Sequence, residues 1–132
     1  MDKNLVSGEE GTVVYQSKNP FEFFHIFNEL EKTETQEVFG TLIFPEKRKK
    51  KHPLVICMHG SLGWRGHHHE HIVNFLESGF AVFRVHSFDA RQVTSIVEDQ
   101  MQVTLATTLT DCFMALRLLT KHPDIDNKNI SI

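Results

Sequence analysis

A glycine-bracketed turn directly after an apolar run is the part of this sequence best suited to chemistry. Residues 54–58 are an unbroken apolar segment, and the segment is followed by His59, Gly60, Ser61 and Gly63. The apolar run predicts a strand that is buried on both faces. Glycines at both ends of a tight turn let backbone N–H groups face outward, which is how anion and oxyanion sites are built. A plain strand-to-helix loop is the alternative that the local pattern leaves open.

A run of histidines after the turn is a second candidate site. His67, Glu70 and His71 satisfy the HxxEH pattern of inverted zinc proteases. His67 and His71 would share one helical face at the i, i+4 spacing that zinc ligands use. A third ligand is not evident in the sequence, and the same residues fit a solvated first turn of a helix. Zinc binding through these three residues is therefore an alternative hypothesis, with adventitious metal binding as its weaker form.

The five consecutive basic residues 47–51 could serve as a nuclear address or a phosphate contact. They have no aromatic or basic neighbours that would extend such a surface. The chain as a whole is mildly acidic, with 14 basic and 17 acidic residues and a net charge of −3. This balance gives no general argument for binding nucleic acid or a membrane. We therefore interpret the basic run as a solvated hairpin loop between two strands.

The cysteines and the amino terminus point to the cytoplasm. Cys57 lies in the apolar strand and Cys112 in a helical pattern, so both are expected to be small buried side chains in a reducing compartment. The amino terminus is polar and acidic, whereas a signal peptide needs a basic start and an apolar run. No apolar run approaches the roughly 18 residues expected of a membrane span.

The elements that position these residues alternate along the chain. The patterns predict strands at 11–17, 35–45, 54–58 and 80–85 and a further strand beginning at Ile130. They predict helices beginning at Pro20, at 67–77 and, with the longest apolar periodicity, at 98–120. Strand, helix, strand, helix, strand is the order of a parallel sheet with crossover helices. The loops 59–66 and 86–91 both follow strands of this sheet, so we expect them to face one crevice.

Four segments in this order resemble the amino-terminal part of an α/β-hydrolase of the dienelactone hydrolase family. They are LVICMHGSLG, ESGFAVFRVHSFDAR, EDQMQVTLATTLTDCFMALRLL and KHPDIDNKNISI. The resemblance covers residues 36–132 and implies an incomplete α/β-hydrolase-type parallel sheet, truncated before the nucleophile elbow. It also implies one incomplete domain over residues 1–132, in which residues 1–35 add a strand and a helix to the hydrolase-like half at 36–132.

The resemblance implies that this half supplies the oxyanion-hole loop. The donor would be the backbone N–H of Ser61, with Leu62 as the next candidate, while Gly60 and Gly63 shape the turn. His59 would support the turn rather than act as the catalytic base. Neither GxSxG nor GxCxG occurs in the sequence, and in α/β-hydrolases the nucleophile, acid and histidine follow in that order. All three members of the triad are therefore expected after Ile132, and this chain alone is expected to be inactive.

The resemblance also implies a substrate contact at Arg91, which matches the arginine that binds a substrate carboxylate in dienelactone hydrolases. A solvated loop arginine is the alternative. Two departures weaken a narrow assignment: Gly60 stands where those enzymes carry a glutamate, and His86 stands where related hydrolases usually carry an aspartate. The expected function is thus at the level of a carboxylester or lactone hydrolase acting on a small molecule without a cofactor.

A non-catalytic interaction subunit is the other alternative that the sequence leaves open. If the last predicted strand is left without its neighbours, it exposes a sheet edge that invites pairing with another chain. Self-association through this edge is therefore expected of the chain by itself.

Overall fold

The structure is a computed structural model, and it describes residues 4–132. Within these residues the chain forms five strands, three α-helices and two short 3₁₀ turns. The strands are β1 (Gly11–Lys18), β2 (Thr35–Ile43), β3 (His52–Cys57), β4 (Ala81–Val85) and β5 (Ile125–Ser131). The helices are α1 (Phe23–Asn28), α2 (His68–Glu77) and α3 (Leu105–Leu119), and the 3₁₀ turns are Leu30–Lys32 and Asp89–Arg91. None of these helices is long and apolar enough to cross a bilayer.

The strands form one sheet in the order β1-β2-β4-β3-β5. β3 pairs in parallel with β4 and β5, as the alternating order of the sequence predicted, and the α/β class is confirmed. The sheet is mixed rather than wholly parallel, because β2 runs antiparallel to both β1 and β4. The connection at 44–51 is too short for a crossover, which parallel strands require, so β2 and β3 run in opposite directions.

The basic loop at 44–51 is exposed over its lysines, but it is not a hairpin loop, because β4 lies between β2 and β3. Arg48 within it is partly held by its neighbours. Its guanidinium lies 4.0 Å from the centre of the Phe44 ring and forms ion pairs with Glu10 and Asp124. The prediction of a hairpin was therefore wrong, while the exposed lysines agree with a solvated loop.

The two longer helices cover opposite faces of the parallel strands. Residues Leu54, Ile56 and Phe83 share the main core cluster with α3. Side chains alternate between the faces of a strand, so Val82 and Arg84 project to the other face, which α2 covers. A smaller buried cluster lies beyond the carboxyl end of β4, and its members are Phe88, Val93, Ile96 and Val103.

The helix α3 begins at Leu105, seven residues later than the apolar spacing predicts. Thr104 caps its amino terminus by accepting a hydrogen bond from the Thr107 N–H at 3.3 Å. The segment before Thr104 is attached to the turn after β3, because the Ile96 N–H donates to the Ser61 carbonyl at 2.9 Å. The buried face of α3 also carries polar side chains, among them Asp111, which no apolar periodicity reveals.

The predicted amphipathic helix after Pro20 is shorter than expected and buries none of its residues. α1 spans only Phe23–Asn28. Its anchor is the Pro20 carbonyl, which accepts hydrogen bonds from the hydroxyls of Thr104 and Thr107. The phenylalanines remain exposed, and Phe27 keeps 81% of its surface accessible. The periodicity predicted the helix correctly but not its exposure, because α1 touches α3 without covering the phenylalanines.

Candidate functional site

The turn after β3 is closed and held in place by its own backbone. The Gly63 N–H donates to the Gly60 carbonyl at 2.9 Å, and Gly63 has a φ of 73°, in the left-handed region that favours glycine. The Ser61 carbonyl accepts hydrogen bonds from the Ile96 N–H at 2.9 Å and from the Ser95 hydroxyl at 3.3 Å. The turn is therefore fastened to the segment that precedes α3.

Two backbone donors in this turn are unused. In residues 4–132, the N–H groups of Ser61 and Leu62 donate to no other group of the protein. Both residues lie between the two glycines, immediately beyond the carboxyl end of the buried strand β3. An oxyanion site requires such N–H groups to be fixed before the reaction and left without an internal acceptor. The turn meets both conditions.

His59 is buried inside the turn. Its Nδ1 lies 2.9 Å from the Gly60 carbonyl, which can only accept, so Nδ1 carries the proton. The ring packs edge-on against Phe88, with the ring centres 4.3 Å apart, and also contacts Trp64. Through these contacts His59 connects the turn to the loop after β4.

Trp64 is the residue of this region that sequence reasoning missed. Its indole N–H donates to the Val85 carbonyl at 2.8 Å and so ties the turn to the end of β4. The Arg84 guanidinium lies 4.5 Å from the centre of its ring. A large aromatic residue between two glycines was the available signal, since such a residue in a loop usually packs against something.

The loops after β3 and β4 meet at one edge of the sheet, as the parallel order predicts. A cavity of about 150 Å³ lies between them. Its lining residues are His59, Leu62, Gly63, Trp64, Arg65, Phe88, Asp89 and Thr94. The turn with the unused donors therefore opens beside the loop that follows β4.

His86 begins the loop after β4, and its ring is fixed by contacts that leave Nδ1 without a hydrogen bond in the described part of the chain. Its Nε2 lies 2.9 Å from the Thr41 hydroxyl, and its ring stacks on Phe39. Nδ1 is buried without a hydrogen bond and lies 3.5 Å from the Asp89 carboxylate. Burial, and then the nearby Arg84 guanidinium, lower the pKa of His86, while Asp89 raises it less. The ring is therefore neutral at pH 7.

Arg91 lies in the same loop but faces the protein interior. Two of its N–H groups form a fork with Asp111, at 2.7 Å and 3.0 Å. The remaining donors bind Asn19, the Ser87 carbonyl and the Lys18 carbonyl. All five guanidinium donors are thus occupied, and none is left for a substrate carboxylate in this conformation. Substrate contact by Arg91 stays a prediction, and it requires one of these bonds to be exchanged.

The histidine run forms the start of α2, as expected, with His67 at the N-cap position. The Arg65 N–H donates to Nδ1 of His68 at 2.9 Å, and the rings of His67 and His68 are 4.0 Å apart. Residues 4–132 contain no group of three histidine, cysteine, aspartate or glutamate side chains placed to hold one metal ion. The side chains of His67, Glu70 and His71 are therefore not placed to hold one zinc ion together, and no further ligand joins them in the described part of the chain.

Comparisons with known proteins identify the fold. No protein-family model matches the chain, and no curated protein matches it. Among solved structures, it is similar to a dienelactone hydrolase-like promiscuous phosphotriesterase from metagenomic libraries, with 17% identity and a TM-score of 0.53. It is also similar to a protein from Klebsiella pneumoniae assigned as a dienelactone hydrolase, with 12% identity and a TM-score of 0.52.

These alignments cover 91% and 90% of this chain but only 47% and 48% of the two solved chains. The chain therefore spans about half the length of the proteins that it matches. The resemblance to the amino-terminal part of dienelactone hydrolase-like proteins is confirmed at the level of the fold.

Proposed function

We propose that residues 36–132 form the oxyanion-loop half of a carboxylester or lactone hydrolase. The observation that carries the proposal is the rigid turn at Ser61, in which two adjacent backbone N–H groups have no internal acceptor. In such a hydrolase, the carbonyl oxygen of the ester gains negative charge when a nucleophile attacks. N–H groups fixed beside that oxygen stabilise the charge more in the transition state than in the substrate.

The nucleophile, acid and histidine would come from residues after Ile132. β5 runs parallel to β3, with Ile130 opposite Leu54 and Ser131 opposite Val55. A chain that leaves β5 therefore emerges at the sheet edge that carries the Ser61 turn. A nucleophile elbow placed there would bring its own N–H, the second donor of the oxyanion hole, close to this turn.

The substrate in this proposal is a small-molecule ester or lactone, attacked to give a covalent acyl intermediate that water releases. We place the protein in the cytoplasm, because Cys57 and Cys112 are both free thiols. The outer edge of β5 has no strand partner within residues 4–132, and it supports the expected pairing with a further strand. That strand would come from the rest of a longer chain or from a second copy.

The transcript sequence after codon 132 tests the proposal directly. A GxSxG or GxCxG motif within about ten residues is expected from the nucleophile-elbow pattern. An in-frame continuation without either motif would contradict it. Serine-dependent turnover of p-nitrophenyl acetate by residues 1–132 alone would also contradict it, since that result requires a nucleophilic serine within these residues.

A matched pair of substitutions then tests the role of the turn in the longer protein. Ser61→Pro removes the N–H donor, and proline suits the second position of a β-turn. Ser61→Ala keeps the N–H and removes only the hydroxyl, whose contact with Gln100 is long at 3.4 Å. We expect Ser61→Pro to lower kcat by roughly 10² to 10³ while Ser61→Ala stays near wild type, as for loss of one oxyanion donor. Equal activity of the two variants would exclude this donor.

A further inference from the structure

Arg84 is a cation that meets no carboxylate among residues 4–132. It lies in the middle of the sheet, where its backbone pairs with Thr41 on one side and Cys57 on the other. Its Nε is buried and has no hydrogen-bond partner in the described part of the chain. Within residues 4–132 its guanidinium forms no hydrogen bond or ion pair, and it lies 4.5 Å from the centre of the Trp64 ring. An aromatic face offsets only part of the cost of removing a guanidinium from water.

The group opens into a cavity of about 260 Å³ between the sheet and the start of α2. The lining residues are Trp64, Arg65, Gly66, His69, Ile72 and Arg84. Three of these six are basic side chains, and none is acidic. The nearest described carboxylate on the adjoining loop, Asp89, lines the neighbouring cavity instead and lies against His86. No lining residue of this cavity therefore neutralises the positive charge of its basic side chains.

We propose that this cavity, the Arg84 pocket, binds a carboxylate or phosphate group of a small molecule. Arginine presents N–H donors in a planar fork that matches the oxygens of either group, and such bonds are charge-assisted. An anion here would satisfy the orphaned Nε and supply the missing counter-charge. Arg65 and His69 would contact it from the rim, because both are exposed and line the same cavity.

The Arg84 pocket is separate from the oxyanion turn but shares a wall with it. Trp64 and Arg65 line this cavity and also the smaller cavity beside Ser61. A ligand bound in the pocket would therefore change the environment of the Trp64 ring. The proposal does not depend on the hydrolase function, because it concerns binding and not turnover.

The single tryptophan makes the test direct. The 132-residue chain is titrated with inorganic phosphate, and separately with acetate, at constant ionic strength adjusted with sodium chloride. Trp64 fluorescence and the melting temperature are the two readouts. We expect a saturable fluorescence change with at least one of the two anions and a matching rise in melting temperature, because a ligand that binds the folded state stabilises it. The anion that binds more tightly identifies the class.

The variants assign the binding to named residues. Arg84→Gln should raise the dissociation constant at least tenfold, and Arg65→Gln and His69→Ala at least threefold each. Arg117→Gln is the matched control, because Arg117 is an exposed arginine on α3 that lines no cavity described here, and it should bind like wild type. Arg65 and His69 are exposed, so their variants carry the test even if Arg84→Gln fails to fold. Absence of saturation with both anions, unchanged binding in all three pocket variants, or equal weakening in the control would overturn the proposal.

Discussion

Removing the charge of Asp111 should destabilise this protein strongly. Its carboxylate is fully buried and accepts three short hydrogen bonds, one from the Ser17 hydroxyl at 2.6 Å and two from the Arg91 fork. The side chain of Arg91 is only 9% exposed. Asp111→Asn is nearly isosteric, so it creates almost no cavity but leaves a buried guanidinium without its counter-charge.

The expected loss of unfolding free energy is about 3–5 kcal/mol, the range observed when one partner of a buried ion pair is removed. Typical domains have only about 5–15 kcal/mol in total, so the variant should be close to unfolding at room temperature. The pair joins three elements that are distant in sequence, because Ser17 lies in β1, Arg91 in the loop after β4, and Asp111 in α3. Its loss should therefore loosen the attachment of β1 to the rest of the sheet.

Urea denaturation followed by circular dichroism measures this change. Glu37→Gln, which alters an exposed carboxylate on β2, is the control and should change stability by less than about 0.5 kcal/mol. Arg91→Leu completes a double-mutant cycle with Asp111→Asn. The double variant should lose at least about 2 kcal/mol less than the sum of the single losses, because neither charge is then left unpaired. A loss below about 1 kcal/mol for Asp111→Asn, or strict additivity, would refute the structural role of the Arg91–Asp111 pair.

Two further predictions concern the turn and the loop after β4. Gly63→Ala should lower the free energy of unfolding by about 1–2 kcal/mol because residue 63 has a positive φ, and its new Cβ would also lie 3.3 Å from the Thr94 carbonyl oxygen. Gly60→Ala is the control, because its Cβ meets no atom within 4 Å, and it should be nearly neutral. Equal melting temperatures of the two variants would contradict this prediction. The pKa of His86 is lowered by burial, so below about pH 6.5 the unfolded chain holds more protons on this ring than the folded protein does. Stability should therefore fall from pH 7.5 to pH 5.5, and His86→Gln should show a smaller fall in melting temperature over that window; an unchanged slope would show that His86 does not contribute.

The turn and the strand before it were predictable because both are determined locally. An apolar run, two glycines and a following helical pattern are properties of about twenty consecutive residues, and the structure places β3, the turn and α2 where these patterns indicated. The start of α3 was not predictable in this way. Its apolar spacing continues upstream of Thr104, but the N–H of Ile96 is taken by the Ser61 carbonyl, a contact between segments more than thirty residues apart.

Arg84 and Arg91 show the same limit for charged residues. An arginine inside the apolar strand FAVFRV is visible in the sequence, but whether a carboxylate meets it is not. The sequence interpretation assigned Arg91 to a substrate carboxylate, which stays a prediction, and the structure shows its pairing with Asp111, twenty residues later in α3. Arg84 has no carboxylate partner among the described residues, and its guanidinium lies over the Trp64 ring instead.

The sequence alone determined the alternation of strands and helices, the α/β class and the glycine-bracketed turn, because the residues that encode these features are close neighbours along the chain. The tertiary structure decided the strand order, the exposure of the α1 phenylalanines, the pairing of Arg91 and the isolation of Arg84. These features depend on which surfaces meet after folding. Burial raises both the energy of an ion pair and the cost of an unpaired charge well above their values in water. The same holds for the Ser61 turn: within residues 4–132, the N–H groups of Ser61 and Leu62 have no acceptor, and only the folded structure shows this.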